Sequence, residues 1–428
     1  MRKWGLTAVA ALLAAQFWAG STPARAEDIT LQFTVWNYSL DTIQDNARKF
    51  EEQNPGIKVK VTDYTWTDYQ DSLVLRFRSG TQTDVVYGGQ DWLPAWAAAG
   101  WLAPLDDVAP EKIAAYKPQF APFTLNDMTY KGRLYGLPYY ADTISFIYNK
   151  KILADNGIAV PQTWDDVLQA CLKLKEKGMD TPISYEYNQE LPNFFDAFVA
   201  QVYGRGGDMF DKDGKALFAD PQNAAYQQLQ WLQDVFSKHK LVDMEVHESK
   251  VIPAMNTGKH AFTVVYNYVL AAMNSTADQA LAGQFALAPM PGATHGTLGF
   301  TKFYAMTAQA AKDPARREAA WKFIDFMAGG DYHVAKRWAV EKGLGFGQLP
   351  LFKDPDIQTA WSKWVDMKVL EQQVATARGG SWKEWTAVWS AYFRPLLAKA
   401  MVGQASVDET MKAGAAKWEE YRAAMGQN

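Results

Sequence analysis

The chain has 428 residues, with 43 lysines and arginines against 47 aspartates and glutamates, a formal net charge of −4. At roughly 100–200 residues per domain this length predicts two large domains, and the evenly mixed, slightly acidic charge argues against nucleic acid or an anionic membrane as partner. A single cysteine, Cys171, excludes an intrachain disulfide, and its helical spacing among apolar residues marks it as a small buried side chain.

Residues 1–26 read as an export signal. Arg2 and Lys3 supply the positive start, residues 6–19 form an apolar core too short to span a bilayer, and Ala24-Arg25-Ala26 is a small-x-small cleavage pattern. The mature chain is expected to start at Glu27, with 40 basic residues against 47 acidic. No cysteine stands at the cleavage site, so the signal is not that of a bacterial lipoprotein. No later run reaches the ~18 uninterrupted apolar residues of a membrane helix. An exported, unanchored protein of this kind is expected in the periplasm of a double-membraned bacterium.

In chain order, residues 29–36 alternate as a strand that ends in Trp36-Asn37-Tyr38-Ser39. Asp41 is placed to cap a helix running to about Gln53, and Asn54-Pro55-Gly56 reads as a turn into a second strand over 57–61. A helix over 69–79, closed by Gly80, and a short apolar strand over 84–87 complete a strand–helix–strand–helix–strand unit, the pattern of a doubly wound sheet. Ligands of such sheets sit beyond the carboxyl ends of the strands. Those ends carry Trp36 to Ser39 and Gly88-Gly89-Gln90-Asp91-Trp92.

The stretch 131–166 is expected to join two modules. A short strand ends at Gly136-Leu137-Pro138, because proline cannot donate within a sheet and biases its predecessor toward extended geometry. A new strand over 144–148 leads to a helix stopped at Gly157, and Thr163 begins another over 164–177. Further helices are expected over 191–203 and 221–239, with a turn at 211–214 between them. Strands follow over 260–266, 284–289 and 300–307. From Pro314 onward the pattern is mostly helical, with 319–327 amphipathic. No internal repeat, low-complexity tract or long linker interrupts it.

Catalytic signatures are missing. There is no Gly-x-Ser-x-Gly elbow, no His-Glu-x-x-His and no phosphate loop, and the five histidines show no metal-ligand spacing. Aromatic residues are abundant instead: 17 Trp, 20 Tyr and 22 Phe. Several stand beside polar groups at strand ends or loops, among them Trp36-Asn37, Trp66-Thr67-Asp68, Asp91-Trp92, Tyr266-Asn267-Tyr268, and Trp382 with Trp385. Aromatic rings suit the apolar C–H face of a pyranose, while carboxylates and amides take its hydroxyls. Charged acceptors bond most strongly, which favours Asp91 and Asp142 as orienting groups. Trp231, Trp321, Trp361 and Trp364, at helical spacing among apolar neighbours, are assigned to packing, as is Trp164 at a helix start.

The segments 49–61 (KFEEQNPGIKVKV), 83–86 (TDVV), 99–107 (AGWLAPLDD), 132–153 (GRLYGLPYYADTISFIYNKKIL), 157–166 (GIAVPQTWDD), 254–262 (AMNTGKHAF), 287–292 (LAPMPG) and 318–327 (EAAWKFIDFM) follow one another in an order that resembles the extracellular solute-binding proteins of carbohydrate ABC importers, the maltose-binding-protein superfamily. The resemblance covers nearly the whole mature chain. It implies an α/β, two-lobed periplasmic-binding-protein fold of type II, each lobe a mainly parallel sheet flanked by helices, with the ligand cleft between lobes. The expected first lobe is 27–138 plus about 268–312, and the second is 139–267 plus about 313–428.

Placed on that pattern, the ligand tryptophan after the first strand falls at Trp36, followed by Asn37, Tyr38 and Ser39. The orienting acid after the third strand falls at Asp91, and a second acid beyond the first crossing falls at Asp142, so that residues 139–142, Tyr139 among them, are candidates to touch ligand. The aromatic of the family's Gly-Pro-Trp turn falls at Tyr268, where this chain reads Tyr266-Asn267-Tyr268. Ser390 or thereabouts occupies the place of the C-terminal stacking tryptophan, a role transferred to Trp382 or Trp385. Arg378 would suit an acidic sugar, and Trp66, Trp92 and Gly299 complete the candidate contacts.

The resemblance implies capture of a mono- to oligosaccharide by hinge closure and delivery to an inner-membrane permease by a monomer, with no cofactor and no catalytic residue. Two other readings use the same residues. One is an exported glycoside hydrolase or lyase with Asp91 and Asp142 as paired carboxylates, which lie ~5–9.5 Å apart in such enzymes. The other is a ferric-ion carrier built on tyrosines such as Tyr139 and Tyr140.

Overall fold

The alternating run after Asp28 forms strand β1 (Ile29–Trp36), and the turn at Gly56, whose φ of +95° favours glycine, sets β2 (Ile57–Tyr64) parallel beside it. β3 (Val85–Gly89) pairs parallel on the other edge of β1. Helix Leu40–Gln53 begins one residue before the expected cap: Ser39 is the turning residue, with φ 49°. Helix Trp66–Ser79 begins three residues earlier than expected, because the Thr65 hydroxyl accepts the Asp68 N–H. The chain is seen here in a computed structural model that describes residues 28–189, 192–244, 248–275, 282–380 and 386–424. The export signal and the candidates Trp382 and Trp385 lie outside these residues. Among the described residues no helix is long and apolar enough to cross a membrane.

A small hairpin, β4 (Thr129–Tyr130) with β5 (Arg133–Leu134), precedes the crossing. The crossing is one continuous strand, β6 (Gly136–Asn149), rather than a strand that ends at Pro138 and a second one after it. Proline is tolerated because the ladder slips there. Opposite the long return strand, Tyr140 pairs with Lys302 and Pro138 with Phe303, leaving Tyr139 as an extra residue. The Pro138 carbonyl accepts Gln348 Nε2 at 2.6 Å instead.

Beyond the crossing come β7 (Ile183–Ser184), β8 (Val242–Asp243), β9 (Phe262–Tyr266), β10 (Phe285–Ala288), β11 (Thr297–Met306) and β12 (Ala377–Arg378). All but β4 and β5 join a single sheet whose main path is β2-β1-β3-β11-β6-β9-β7-β8, with β10 on β6 and β12 on β11. Its two ends are parallel (β1 with β2 and β3; β7 with β8 and β9), and the centre is antiparallel where β6 and β11 run from one half to the other. Helix Trp164–Glu176 opens the second half on a capping box in which Thr163 and Asp166 bond each other's backbone N–H. Helix Ala224–Gln233, started by the Asn223 side chain, gives way to a wider turn over Asp234–Lys238, where one long helix was expected.

Two apolar cores flank the centre. The first gathers Leu31, Phe33, Ile43, Phe50, Tyr69 and Phe323, and the second gathers Phe146, Trp164, Phe198, Phe218, Trp389 and Trp418. Everything beyond about residue 313 was expected in the second lobe. Helix Pro314–Ala328 instead lays its buried stripe of Ala319, Ala320, Phe323, Ile324 and Met327 against β1, with the Phe323 ring 5.0 Å from Phe33. Trp338 and Ala339 of the next helix also belong to the first core. Only helices Thr386–Met401 and Val407–Ala424 carry Trp389 and Trp418 into the second. Conversely, β10 pairs antiparallel with the far end of β6, on the second-half side of the crossing.

Candidate ligand-binding cleft

Between the halves lies a cavity of about 300 Å³ lined by Trp36, Tyr38, Trp66, Gln90, Asp91, Tyr139, Tyr140, Asp196, Tyr266, Tyr268, Phe300, Lys302 and Leu344. This is the lower end of the ~300–1,000 Å³ of small-ligand pockets. The first half supplies an aromatic wall. Trp36 ends β1 and meets Trp66 edge-on at 5.1 Å, Tyr69 at 5.3 Å and Tyr87 at 4.5 Å. Trp66, first residue of its helix, is 39% exposed toward the rim, and Tyr38 is 45% exposed. Past β3, Gln90 bonds Asp91 through Nε2 at 3.1 Å.

The crossing strands supply the floor. Along β11 side chains alternate faces, so Phe300 and Lys302 line the cavity while Gly299 and Thr301 point away. Phe300 meets Tyr140 at 5.5 Å and Tyr266 at 5.0 Å, both edge-on. From the second half come Tyr266 and Tyr268, stacked at 5.9 Å, and Asp196 of helix Pro192–Gly204, whose Oδ2 accepts the Tyr266 hydroxyl at 3.0 Å.

Among the described residues, three charged groups line the cavity: Asp91, Asp196 and Lys302. Burial pushes the Asp196 carboxyl up to about 7, reinforced by the negative charge of Asp91 and opposed by the Tyr266 hydroxyl, Arg394 and Lys302. Burial also lowers Lys302, against the pull of Asp91, Asp196 and Asp127. Lys302 Nζ donates to Gln90 Oε1 at 3.1 Å and lies 5.3 Å and 5.4 Å from the Trp66 and Trp92 rings. The arrangement offers apolar faces for C–H surfaces, two carboxylate acceptors from opposite sides, and one ammonium donor between them.

Of the expected contacts, Trp36, Tyr38, Trp66, Asp91, Tyr139, Tyr140, Tyr266 and Tyr268 line the cavity, and the other described ones stand elsewhere. Asp142 is buried and turned into the protein: it accepts its neighbour Thr143 N–H at 2.8 Å, the Tyr268 N–H at 3.0 Å and the Tyr140 hydroxyl at 3.3 Å. Burial raises its carboxyl to about 7, with those bonds opposing. It therefore does not face Asp91 across the cleft as a catalytic pair. Asn267 is also buried, and its N–H bonds the Thr143 carbonyl at 3.1 Å.

Trp92 lies behind Trp66, 5.3 Å away and 8% exposed. Asn37 is exposed and continues the β1–β2 ladder through the Tyr64 carbonyl, and Ser39 turns the chain into its helix. Gly299 makes room for Phe123, since a Cβ there would lie 2.5 Å from that ring. Arg378 stacks on Tyr203 at 3.8 Å and bonds Asp208 and the Gly207 carbonyl, away from the cavity. Next to Ser390, Trp389 is fully buried with its indole N–H on the Gly414 carbonyl at 2.9 Å. Tyr139 stacks on Tyr87 at 4.6 Å while the Tyr140 hydroxyl bonds Asp142. No cluster of three or more His, Cys, Asp or Glu fit for a metal occurs among the described residues.

Asp196, Phe300, Lys302 and Leu344 were not anticipated, and Gln90 stood in the expected strand end without being assigned a contact. Two carried a signal: Asp196 is the one acid in the apolar helix stretch 194–203, and Lys302 is the only charged residue of β11. A lone charge inside an apolar element is either paired or functional.

The model of the family described as bacterial extracellular solute-binding protein matches residues 36–332. A putative binding protein of Brucella abortus is 23% identical over 97% of this chain and 98% of its own length. The lactose-binding protein of Rhizobium radiobacter is 24% identical over 95% of each chain. Among solved structures, the sugar-binding protein MalE of Xanthomonas citri superposes with a TM-score of 0.80 at 18% identity, covering 93% of this chain and 100% of that one.

Proposed function

Because the chain belongs to the bacterial extracellular solute-binding protein family, we propose that it is the carbohydrate-capturing component of an ABC importer. The observation that carries the reading is the cavity itself: aromatic faces of Trp36, Trp66, Tyr268 and Phe300 with Asp91 and Asp196 brought from opposite halves. A sugar seated there touches both halves at once. Those contacts are complete only when the halves close, so binding favours the closed form. The closed form is then the one recognised by permease subunits in the inner membrane. The volume fits a mono- or small oligosaccharide better than a long chain. No bond of the ligand is broken, and the protein works in the periplasm as a single copy after loss of residues 1–26.

We infer from strand pairing and from the helix laid on β1 that residues 28–136 and helix Pro314–Ala328 belong to the first lobe, and that β7, β8, β9, β10 and residues 386–424 belong to the second, with β6 and β11 crossing between them.

A panel of neutral mono- and disaccharides tests the function through intrinsic fluorescence and thermal unfolding. Trp36 and Trp66 report directly on the cavity, so a saturable fluorescence change with a raised Tm is expected for at least one sugar. No response across the panel, or recovery of cleaved sugar after prolonged incubation, contradicts the reading.

A further inference from the structure

Lys302 stands opposite Gly89 on β3 and Tyr140 on β6, at the middle of the strands that join the two halves. Its ammonium lies along the bare backbone of Gly89, where a Cβ would come within 3.1 Å of Nζ. Three ring faces surround it, those of Trp66, Trp92 and Phe300, all within 6 Å. An ammonium has three donors, and Gln90 Oε1 takes one of them. Asp91 and Asp196 act on it from the two halves, yet neither forms an ion pair with it among the described residues. The cavity is thus bordered by one ammonium donor and two carboxyl acceptors that do not pair with it.

A hydroxyl suits such a set, because it accepts from an ammonium and donates to a carboxylate simultaneously. A ligand carboxylate does not. It satisfies Nζ but is brought against Asp91 and Asp196, and among the described lining residues no arginine offers the fork best matched to a planar carboxylate. Arg378, the basic residue that suggested an acidic sugar, is committed to Tyr203, Asp208 and Gly207. Arg394 reaches the site only through its influence on Asp196, and buried Asp127 acts on Lys302 with the opposite sign.

Resting on the carbohydrate reading above, we propose that Lys302 is the specificity-determining residue of the cleft: it selects an uncharged polyol whose neighbouring hydroxyls bridge Nζ to Asp91 and Asp196, and with those carboxylates it excludes the corresponding sugar acid.

Calorimetric titration of the purified protein at pH 8 with glucose, galactose, mannitol, lactose and maltose, then with glucuronate, galacturonate and gluconate, tests this. Binding is expected for at least one neutral probe, with its acid counterpart at least 100-fold weaker. Lys302→Met is expected to weaken that neutral probe 10- to 100-fold, and Asp91→Asn to narrow the neutral-to-acid ratio at least tenfold. An acid bound within threefold of its neutral parent, or Lys302→Met with unchanged affinity, overturns the assignment of Lys302 while leaving sugar binding in place. No binding by any neutral probe overturns the carbohydrate reading and this inference together. If Lys302→Met does not fold, the neutral-to-acid ratio of the wild-type protein decides alone.

Discussion

Asp142 Oδ2 accepts the backbone N–H of Tyr268 at 3.0 Å, fastening the crossing strand β6 to the turn after β9. The bond explains why a carboxylate expected in the ligand site is part of the frame instead. It fixes the start of the Tyr266–Tyr268 wall rather than reaching the cavity. Thr143 and Tyr268 hold the carboxylate through backbone donors, and Tyr140 through its hydroxyl.

A pH dependence follows from that burial. The folded carboxyl is raised to about 7, above its unfolded value, so it favours folding fully below the unfolded pKa and loses that contribution as pH rises through about 7. Asp142→Asn removes the titration. Thermal and urea unfolding at pH 4 and pH 8 are expected to show the variant gaining on wild type by up to about 4 kcal/mol across that interval, at ~1.4 kcal/mol per unit. A difference between the two proteins that does not move with pH contradicts the assignment.

Trp66 and Trp36 separate affinity from stability. Trp66 faces the rim with 39% exposure, whereas Trp36 is 7% exposed among five other aromatic rings. Trp66→Ala is expected to weaken sugar binding 10- to 100-fold with little change in Tm. Trp36→Ala is expected to lose about 3–5 kcal/mol of unfolding free energy as well. Calorimetry beside chemical denaturation checks both, and equal stability losses in the two variants would argue against the layering.

Arg378 is a structural strut. Its guanidinium covers Tyr203 and pairs with Asp208 on an exposed edge, so Arg378→Ala is expected to lower stability by about 1 kcal/mol and leave sugar affinity within threefold. A tenfold loss of affinity at unchanged stability would place the residue in the cleft after all.

Gly299→Ala tests the packing of the crossing. A Cβ there lies 2.5 Å from Phe123, so the variant is expected to lose about 1–3 kcal/mol through overpacking. A protein as stable as wild type by urea titration would show that Phe123 yields without strain.

Much of the frame was legible because local signals are short-range. The turn at Gly56, the capping box at Thr163 and the alternation of β1 each lie within a few residues. Pro138 misled, because a bulge opposite Lys302 and Phe303 rescues the missing donor, and that partner lies more than 150 residues away. The amphipathic stripe of helix Pro314–Ala328 was visible, but nothing in a single stripe says which sheet it covers. For the cleft, strand-end aromatics were found by position, since Trp36 and Asp91 must project beyond β1 and β3. Asp142 and Asn267 stand on the right segments with the wrong face, a distinction set by tertiary hydrogen bonds. Asp196 and Lys302 come from elements that read as apolar core, and only the assembled halves show that their charges meet one cavity.

The proposed function turns on one carbohydrate being held between Asp91 and Asp196 in this cavity. Titrating the wild-type protein and the Asp91→Asn, Asp196→Asn double variant by calorimetry with the best-binding neutral sugar tests it most directly. One site per chain in the wild type, and affinity reduced at least 100-fold in a double variant that still unfolds cooperatively, is the expected result. Undiminished binding by the folded double variant would contradict it.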